Sequence, residues 1–355
     1  MERELERLKQ LSNAFGVSGD EKEVREIIRG CVEPLGDSIH QDPLGNLIVK
    51  IQGSKDEAPS LLLAAHMDEI GLMVSNITKK GFLRFTTVGG WDVRILPAQA
   101  VVLRTSSGKT LDGVIGSKPP HIQTADERKK VLEFEELFID VGIGNQEEVE
   151  KIGIRIGDRL TLPQKFGFLS GNPQVMQGKA FDDRIGCAIL IELLERLKKR
   201  GKPRGSIYAG FSVQEEVGAR GAGPLAYNLD PTCALVLEGT VAANTPGTKK
   251  GTTPTVMDDG PAISIMDRGL IADLRIARKL EDLAKTNKIP CQMKRPPSGA
   301  TDAGRIHLTK GGIPSGVLSV PCRYIHTPRQ LASINDFKNA IQLSVEFCYA
   351  FDELY

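Results

Sequence analysis

The residues able to do chemistry stand at separated points along the chain. His66 closes the apolar run 61–65 and opens His66-Met67-Asp68-Glu69, while Gln214-Glu215-Glu216 follows the apolar run 206–213. Glu238 comes directly after 233–237, and His326 follows 316–320 by the short loop Pro321-Cys322-Arg323-Tyr324-Ile325. Asp182 precedes a helical pattern in Ala180-Phe181-Asp182-Asp183-Arg184. Each alone has an ordinary reading: a structural histidine, a surface acid pair, a helix cap. Their coincidence points to chemistry. Two imidazoles and three carboxylates suit zinc, cobalt or manganese rather than an all-sulfur soft-metal site. Five ligands exceed what one tetrahedral ion with an open position takes, and they suffice for two ions if one carboxylate bridges. Such a pair, about 3.5–4 Å apart, readies water for attack on a carbonyl. Asp68 is placed to orient the His66 imidazole through its second nitrogen.

The elements that must position these groups are legible in outline. Residues 2–14 and 20–35 have helical periodicity, broken by Gly16 and Gly19, and 46–51 reads as a strand. The wholly apolar 61–65 reads as a strand buried on both faces. Between about 71 and 162 the texture changes to short alternating runs separated by turn residues, which predicts a small β-rich insertion. Alternation of strand and helix then resumes: a helix over 184–200 behind Asp182-Asp183, strands over 206–213, 233–237 and 316–320, and helices over 270–286 and 333–351. The expectation is an α/β fold with a mostly parallel sheet flanked by helices. In open α/β sheets the functional groups sit beyond the carboxyl ends of the strands, where His66, Glu215, Glu216 and Glu238 fall.

Bulk properties narrow the function. Lys plus Arg total 46 against 45 for Asp plus Glu, which argues against a nucleic-acid binder and for a small-molecule or peptide substrate. No run of 18 apolar residues exists to span a membrane, and the charged segment 1–10 lacks the apolar core of a secretion signal. Six scattered cysteines without a Cys-x-x-Cys pair predict reduced thiols in a cytoplasmic protein.

Several ordered motifs carry a resemblance. They are Val17-Ser18-Gly19, Asp42-Pro43-Leu44-Gly45-Asn46, His66-Met67-Asp68-Glu69-Ile70-Gly71, Gly89-Gly90-Trp91-Asp92 and Lys179-Ala180-Phe181-Asp182-Asp183-Arg184. Val213-Gln214-Glu215-Glu216-Val217-Gly218, Thr301-Asp302-Ala303-Gly304 and His326-Thr327-Pro328 complete the series. Together they resemble the M42 family of metallo-aminopeptidases, the tetrahedral or deblocking aminopeptidases, some of which carry glutamyl aminopeptidase or endoglucanase labels. The resemblance implies a zinc-peptidase-like catalytic domain over 1–71 and 165–355, interrupted at 72–164 by a PDZ-like dimerisation domain. It implies two divalent ions, zinc or cobalt with manganese also suited, bridged by Asp182. His66 and Glu238 complete one site, and Glu216 and His326 the other. Glu215 is then the general base, and Asp68 the carboxylate behind His66. Peptides trimmed from a free N-terminus are the implied substrates, and dimers assembling into a tetrahedral dodecamer the implied state. Many members carry Asp where this chain has Glu238.

Rival chemistries fit less well. No Gly-x-Ser-x-Gly elbow and no His-Glu-x-x-His helix occur, and Ser107-Gly108-Lys109-Thr110 lacks the first glycine of a phosphate loop. A glycosidase using Glu215 and Asp68 leaves His66, Asp182 and His326 unexplained. A carboxypeptidase or N-deacylase with the same ligands is the nearer alternative, and a non-catalytic scaffold gives no reason for Glu215. His40 and His307 read as structural and Trp91 as packing for the insertion. Thr301-Asp302 reads equally as a pocket wall or a helix start. His121 reads as a loop histidine, with reach into a neighbouring subunit's site as the alternative.

Overall fold

The computed structural model describes residues 2–249, 252–295 and 299–355. Its main sheet runs, from one edge to the other, Ser38–Gln41, Leu47–Ile51, Ile207–Ser212, Leu61–His66, Cys233–Val241, Ser315–Arg323, Gln330–Ser333, Asn172–Gly178 and Gly167–Leu169. Ala262–Ser264 joins the side of Ser315–Arg323 and carries Gln292–Lys294 in turn. Among the strands described for this sheet, parallel pairing is confined to the four central ones and this last pair; the flanks are antiparallel hairpins and returns. The sheet is therefore mixed, where the sequence suggested mostly parallel. An apolar run fixes burial but carries no strand direction.

Burial on both faces is explicit in the side-chain alternation. Leu61, Leu63 and Ala65 enter the larger core beneath the helices Arg3–Asn13, Lys22–Val32, Phe181–Arg200, Leu274–Asn287 and Ile334–Cys348. Leu62 and Ala64 enter a smaller core under Ala222–Leu229 and Ala303–Ile306. A fully buried leucine contributes about 1.5–3 kcal/mol, so this strand anchors the sheet from both sides. Phe181–Arg200 is buried along most of its length and packs on Leu61–His66 and Cys233–Val241. All six cysteines are free, four of them buried.

Between Leu61–His66 and Gly167–Leu169 the chain forms a closed six-stranded barrel. Its order is Gly71–Ile77, Leu83–Val88, Phe138–Asp140, Thr110–Gly116, Ala100–Arg104 and Arg159–Thr161. Leu72, Val74, Leu103, Ile115, Ile139 and Leu160 fill its interior. The barrel is tied to the sheet by Glu69, which accepts from Thr161 Oγ1 at 3.1 Å, Gly16 N at 3.2 Å and Lys179 Nζ at 2.6 Å. Trp91 packs on the barrel core, and its indole donates to Gly71 O at 2.9 Å.

Candidate metal centre

Register brings the first acids and the first histidine together. Ser212 pairs with His66 across the parallel strands, and Glu238 lies two residues beyond the paired Val236 and Ala64. By parity His66 and Glu238 emerge on the side of the smaller core, at the carboxyl ends of their strands. Glu238 stands inside Cys233–Val241 rather than just after it as the sequence suggested. His326 is presented by the loop beyond Ser315–Arg323, in which Tyr324 and His326 adopt φ of 59° and 57°.

Asp182 is where the two histidines meet. His66 Nε2 lies 3.0 Å from its Oδ1, and His326 Nε2 lies 3.1 Å from its Oδ2. The expected helix-capping role falls to Asp183 instead, whose Oδ1 accepts Gly186 N at 2.9 Å and whose Oδ2 accepts His66 N at 3.1 Å. Asp182 keeps a non-helical backbone at φ −84° and ψ 103°, which turns its carboxylate away from the helix axis. Glu238 Oε1 is 3.3 Å from His66 Nε2, and Glu216 Oε2 is 3.4 Å from His326 Nε2. Among the described residues two groups could hold an ion: His66, Asp182 and Glu216, and His66, Asp183 and Glu238, each with ligand atoms within 4.8 Å of one another. Both Asp183 oxygens already accept backbone N–H groups, so Asp182 is the freer ligand.

Glu215 and Glu216 are set by a turn. Ile207–Ser212 ends before Gln214, which adopts φ 57°, and the next two N–H groups then donate to Asp68: Glu215 N to Oδ1 at 2.9 Å and Glu216 N to Oδ2 at 3.1 Å. Ser18 Oγ donates to Asp68 Oδ2 at 2.5 Å. His66 Nδ1 faces Asp68 O at 3.1 Å and Oδ1 at 3.4 Å. With acceptors on that side, Nδ1 is the donor there, and Nε2 is the ring nitrogen that faces the acids. Glu215 Oε2 lies 4.0 Å from His66 Nε2 at the rim of a cavity of about 340 Å³.

The charge balance tests whether cations fit. Burial, with help from neighbouring acids, pushes Glu215, Glu216 and Asp183 well above the ordinary carboxylate range and Glu238 up to about 8. Burial also opposes ionisation of Asp182, but the two imidazoles hold its pKa far below normal. Burial disfavours a charged His66, yet Glu238, Asp182 and Asp68 raise it well above its usual value. Glu216 Oε1 and Glu238 Oε1 are buried without a hydrogen bond. The cluster is short of positive charge and of donors, which is the condition divalent cations relieve. The set fits hard-to-borderline ions and offers no thiolate.

The other histidines fall elsewhere. His40 is exposed on an edge strand, His307 Nδ1 is bonded to Ala303 O at 2.9 Å, and His121 is exposed on the turn Pro120–Ile122. Thr301 lines the 340 Å³ cavity, and Asp302 precedes the helix Ala303–Ile306, bonding Ser212 Oγ rather than capping. Both readings of Thr301-Asp302 thus hold in part. Asp183 and Lys294, a further lining residue, were not singled out from the sequence. Asp183 was hidden by its capping position, and a lone lysine in a short strand gives no signal.

Known proteins match the chain in sequence and fold. A TET aminopeptidase from the marine sediment archaeon Thaumarchaeota archaeon SCGC AB-539-E09 is 41% identical, with TM-score 0.94, over 98% of this chain and 96% of that one. The TET1 peptidase of Pyrococcus horikoshii, described as assembling into a tetrahedron or a large octahedral shell, is 32% identical with TM-score 0.86, over 98% and 99%. The lysyl aminopeptidase of Pyrococcus furiosus is 33% identical over 96% of this chain and 95% of its own. The model of the M42 glutamyl aminopeptidases matches residues 45–343, and with it the likeness in sequence and fold spans nearly the whole chain: it belongs to the M42 aminopeptidase family and is a peptide hydrolase.

Proposed function

We propose that the chain removes N-terminal residues from peptides, using two divalent ions held by His66 and Glu238 on one side of Asp182 and by His326 and Glu216 on the other. The observation that carries this reading is the pair of imidazoles addressing opposite oxygens of one carboxylate, at 3.0 and 3.1 Å. When bound, zinc, cobalt or manganese would acidify water and polarise the scissile carbonyl. Glu215 accepts the proton of the attacking water and delivers it to the leaving amine. Its place at the cavity rim beside His66 supports that role. Asp68 acts at a distance from the substrate: it orients His66 and fixes the turn that carries Glu215 and Glu216. A glycosidase reading gives the two histidines nothing to do.

The test is an assay of chain stripped by a chelator and reloaded separately with zinc, cobalt and manganese. Aminoacyl anilides with a free amine should be cleaved, their N-acetylated counterparts should not, and chelation should abolish turnover. Preferential cleavage of blocked substrates would instead indicate a deacylase or carboxypeptidase.

The unit formed by 72–164 we read as the PDZ-like dimerisation element, with dodecameric assembly as in the tetrahedral relatives. Val114, Ile122 and Val131 support this as large apolar residues exposed on that unit. Light scattering should return about twelve copies of the 38.6 kDa chain, and a monomer at micromolar concentration would refute assembly.

A further inference from the structure

The cavity beside the acid cluster holds one residue whose chemistry the proposed reaction does not use. Lys294 ends the short strand Gln292–Lys294, which pairs with Ala262–Ser264 at the side of the main sheet. It is 4% exposed, and its ammonium has no hydrogen bond or ion pair among the described residues. Lys294 lines the 340 Å³ cavity together with Asp182, Glu215, Glu238, Ala300 and Thr301, and is the one Lys or Arg among the described lining residues. The nearby Asp267 is engaged elsewhere: its Oδ1 accepts Gly269 N and Leu270 N, both at 2.7 Å, and its Oδ2 faces Thr301 Oγ1 at 3.5 Å.

The ammonium is not sealed off: it opens onto the cavity, and the place of a partner there is free to a ligand. The site acids do not fill that place, because in the reading above they hold the two ions. A ligand that brings its own carboxylate into the cavity does fill it. We propose that Lys294 is the specificity-determining residue that selects an acidic side chain, Glu or Asp, at the N-terminal position of the substrate. The family description names a glutamyl activity, but relatives extend to a lysyl enzyme, so membership alone does not set the preference of this chain. Lys294 does so by physical means. A substrate carboxylate gains a charge-assisted bond, a leucine side chain leaves the ammonium unpaired, and a lysine side chain is repelled.

This inference rests on the aminopeptidase reading, and the experiment separates the two. Full-length chain loaded with cobalt is assayed on Glu-, Leu- and Lys-p-nitroanilide, alongside N-acetylated dipeptides that end in a free carboxylate or an amide. A charge-assisted contact predicts kcat/KM for Glu above Leu by on the order of 10–100-fold, with Lys lowest. Lys294→Met should collapse the Glu-to-Leu ratio toward one, while Lys294→Arg should keep Glu preferred. Equal turnover of Glu and Leu by the native chain overturns the inference and leaves the aminopeptidase standing. So does a Lys294→Met chain that loses metal and slows on all three anilides alike, with the ratio intact, which would make Lys294 a structural counter-charge. Should Lys294→Met not fold, a Lys294→Arg chain without preference overturns it equally. Cleavage confined to the acetylated dipeptides with a free carboxylate overturns both readings, since Lys294 would then hold the C-terminal carboxylate.

Discussion

The backbone N–H of Glu215 donates to Asp68 Oδ1 at 2.9 Å, so the residue at the cavity rim is held by the carboxylate that also stands behind His66. Asp68 is fully buried, and burial opposes its charge, but His66, Ser18 and the Glu215 N–H together hold its pKa below normal. Replacing it with Asn leaves one oxygen to accept what two accept now. Asp68→Asn should reduce metal affinity and kcat/KM together by about 10–100-fold, the range typical for partners of metal-bound histidines. Calorimetric zinc titration and anilide turnover measure the two; unaltered values would remove Asp68 from the support of the site.

Glu215 makes no hydrogen bond to either imidazole, and its Oε2 stays 4.0 Å from His66 Nε2. A proton acceptor needs that freedom, whereas a ligand does not. Glu215→Gln should retain close to the native metal content and lose about 10²–10⁴-fold in kcat, the contribution of one acid–base group. Metal analysis and single-turnover kinetics on the same preparation check it. Full turnover by the glutamine variant would assign proton transfer to another group.

Much of the centre was legible because buried strands that end in acids or histidines are costly without a purpose. The apolar 61–65 run announced a strand covered on both faces, and Leu61 to Ala65 do alternate between two cores. Direction was not legible: nothing local distinguishes Leu61–His66, with parallel neighbours, from Leu47–Ile51, with antiparallel ones. Asp182 and Asp183 present the same capping pattern ahead of a helix, and only tertiary contacts decide that one caps while the other faces the imidazoles. Glu238 was expected just past its strand because a carboxylate inside a buried strand is unfavourable. The strand runs on to Val241 because the site, not solvent, receives that carboxylate. Lys294 offered no periodicity and no neighbouring motif, and its place follows only from the fold.

Gly90 links the barrel segment to the metal centre. A Cβ built there would lie 3.3 Å from His326 Nδ1, and one at Gly89 would lie 3.4 Å from the Glu216 Cβ. His326 is 40% exposed and can give way, so the effect should fall on ion binding rather than on folding. Gly90→Ala should weaken one of two ions by about tenfold, roughly the 1.4 kcal/mol expected of a modest displacement, with Tm shifted by only a few degrees. Metal titration should then resolve one native and one weakened step. Two native steps would show that His326 is positioned without this contact.

Stability should carry a separate pH signature at Asp336, away from the metal centre. Its carboxylate is buried in the first turn of Ile334–Cys348 and accepts Asp258 N and Gly260 N, both at 2.7 Å. Burial first, then Asp258 and Asp259, raise its pKa from 3.8 to about 6 against those two donors. A raised carboxyl pKa means that ionisation is harder in the folded chain, so the stabilisation is complete below about 4 and is lost as pH climbs through 6. The difference in unfolding free energy between the native chain and Asp336→Asn should therefore shrink from pH 4.5 to pH 7.5, by about 2 kcal/mol, because part of the loss has already occurred by pH 4.5. Paired urea denaturation curves at those pH values read it directly, and because both proteins carry the same acid cluster around Asp182, its own titration cancels in the difference. A difference that stays constant with pH, or grows, would mean that Asp336 is already ionised in the fold at acid pH and that its two backbone donors outweigh its burial.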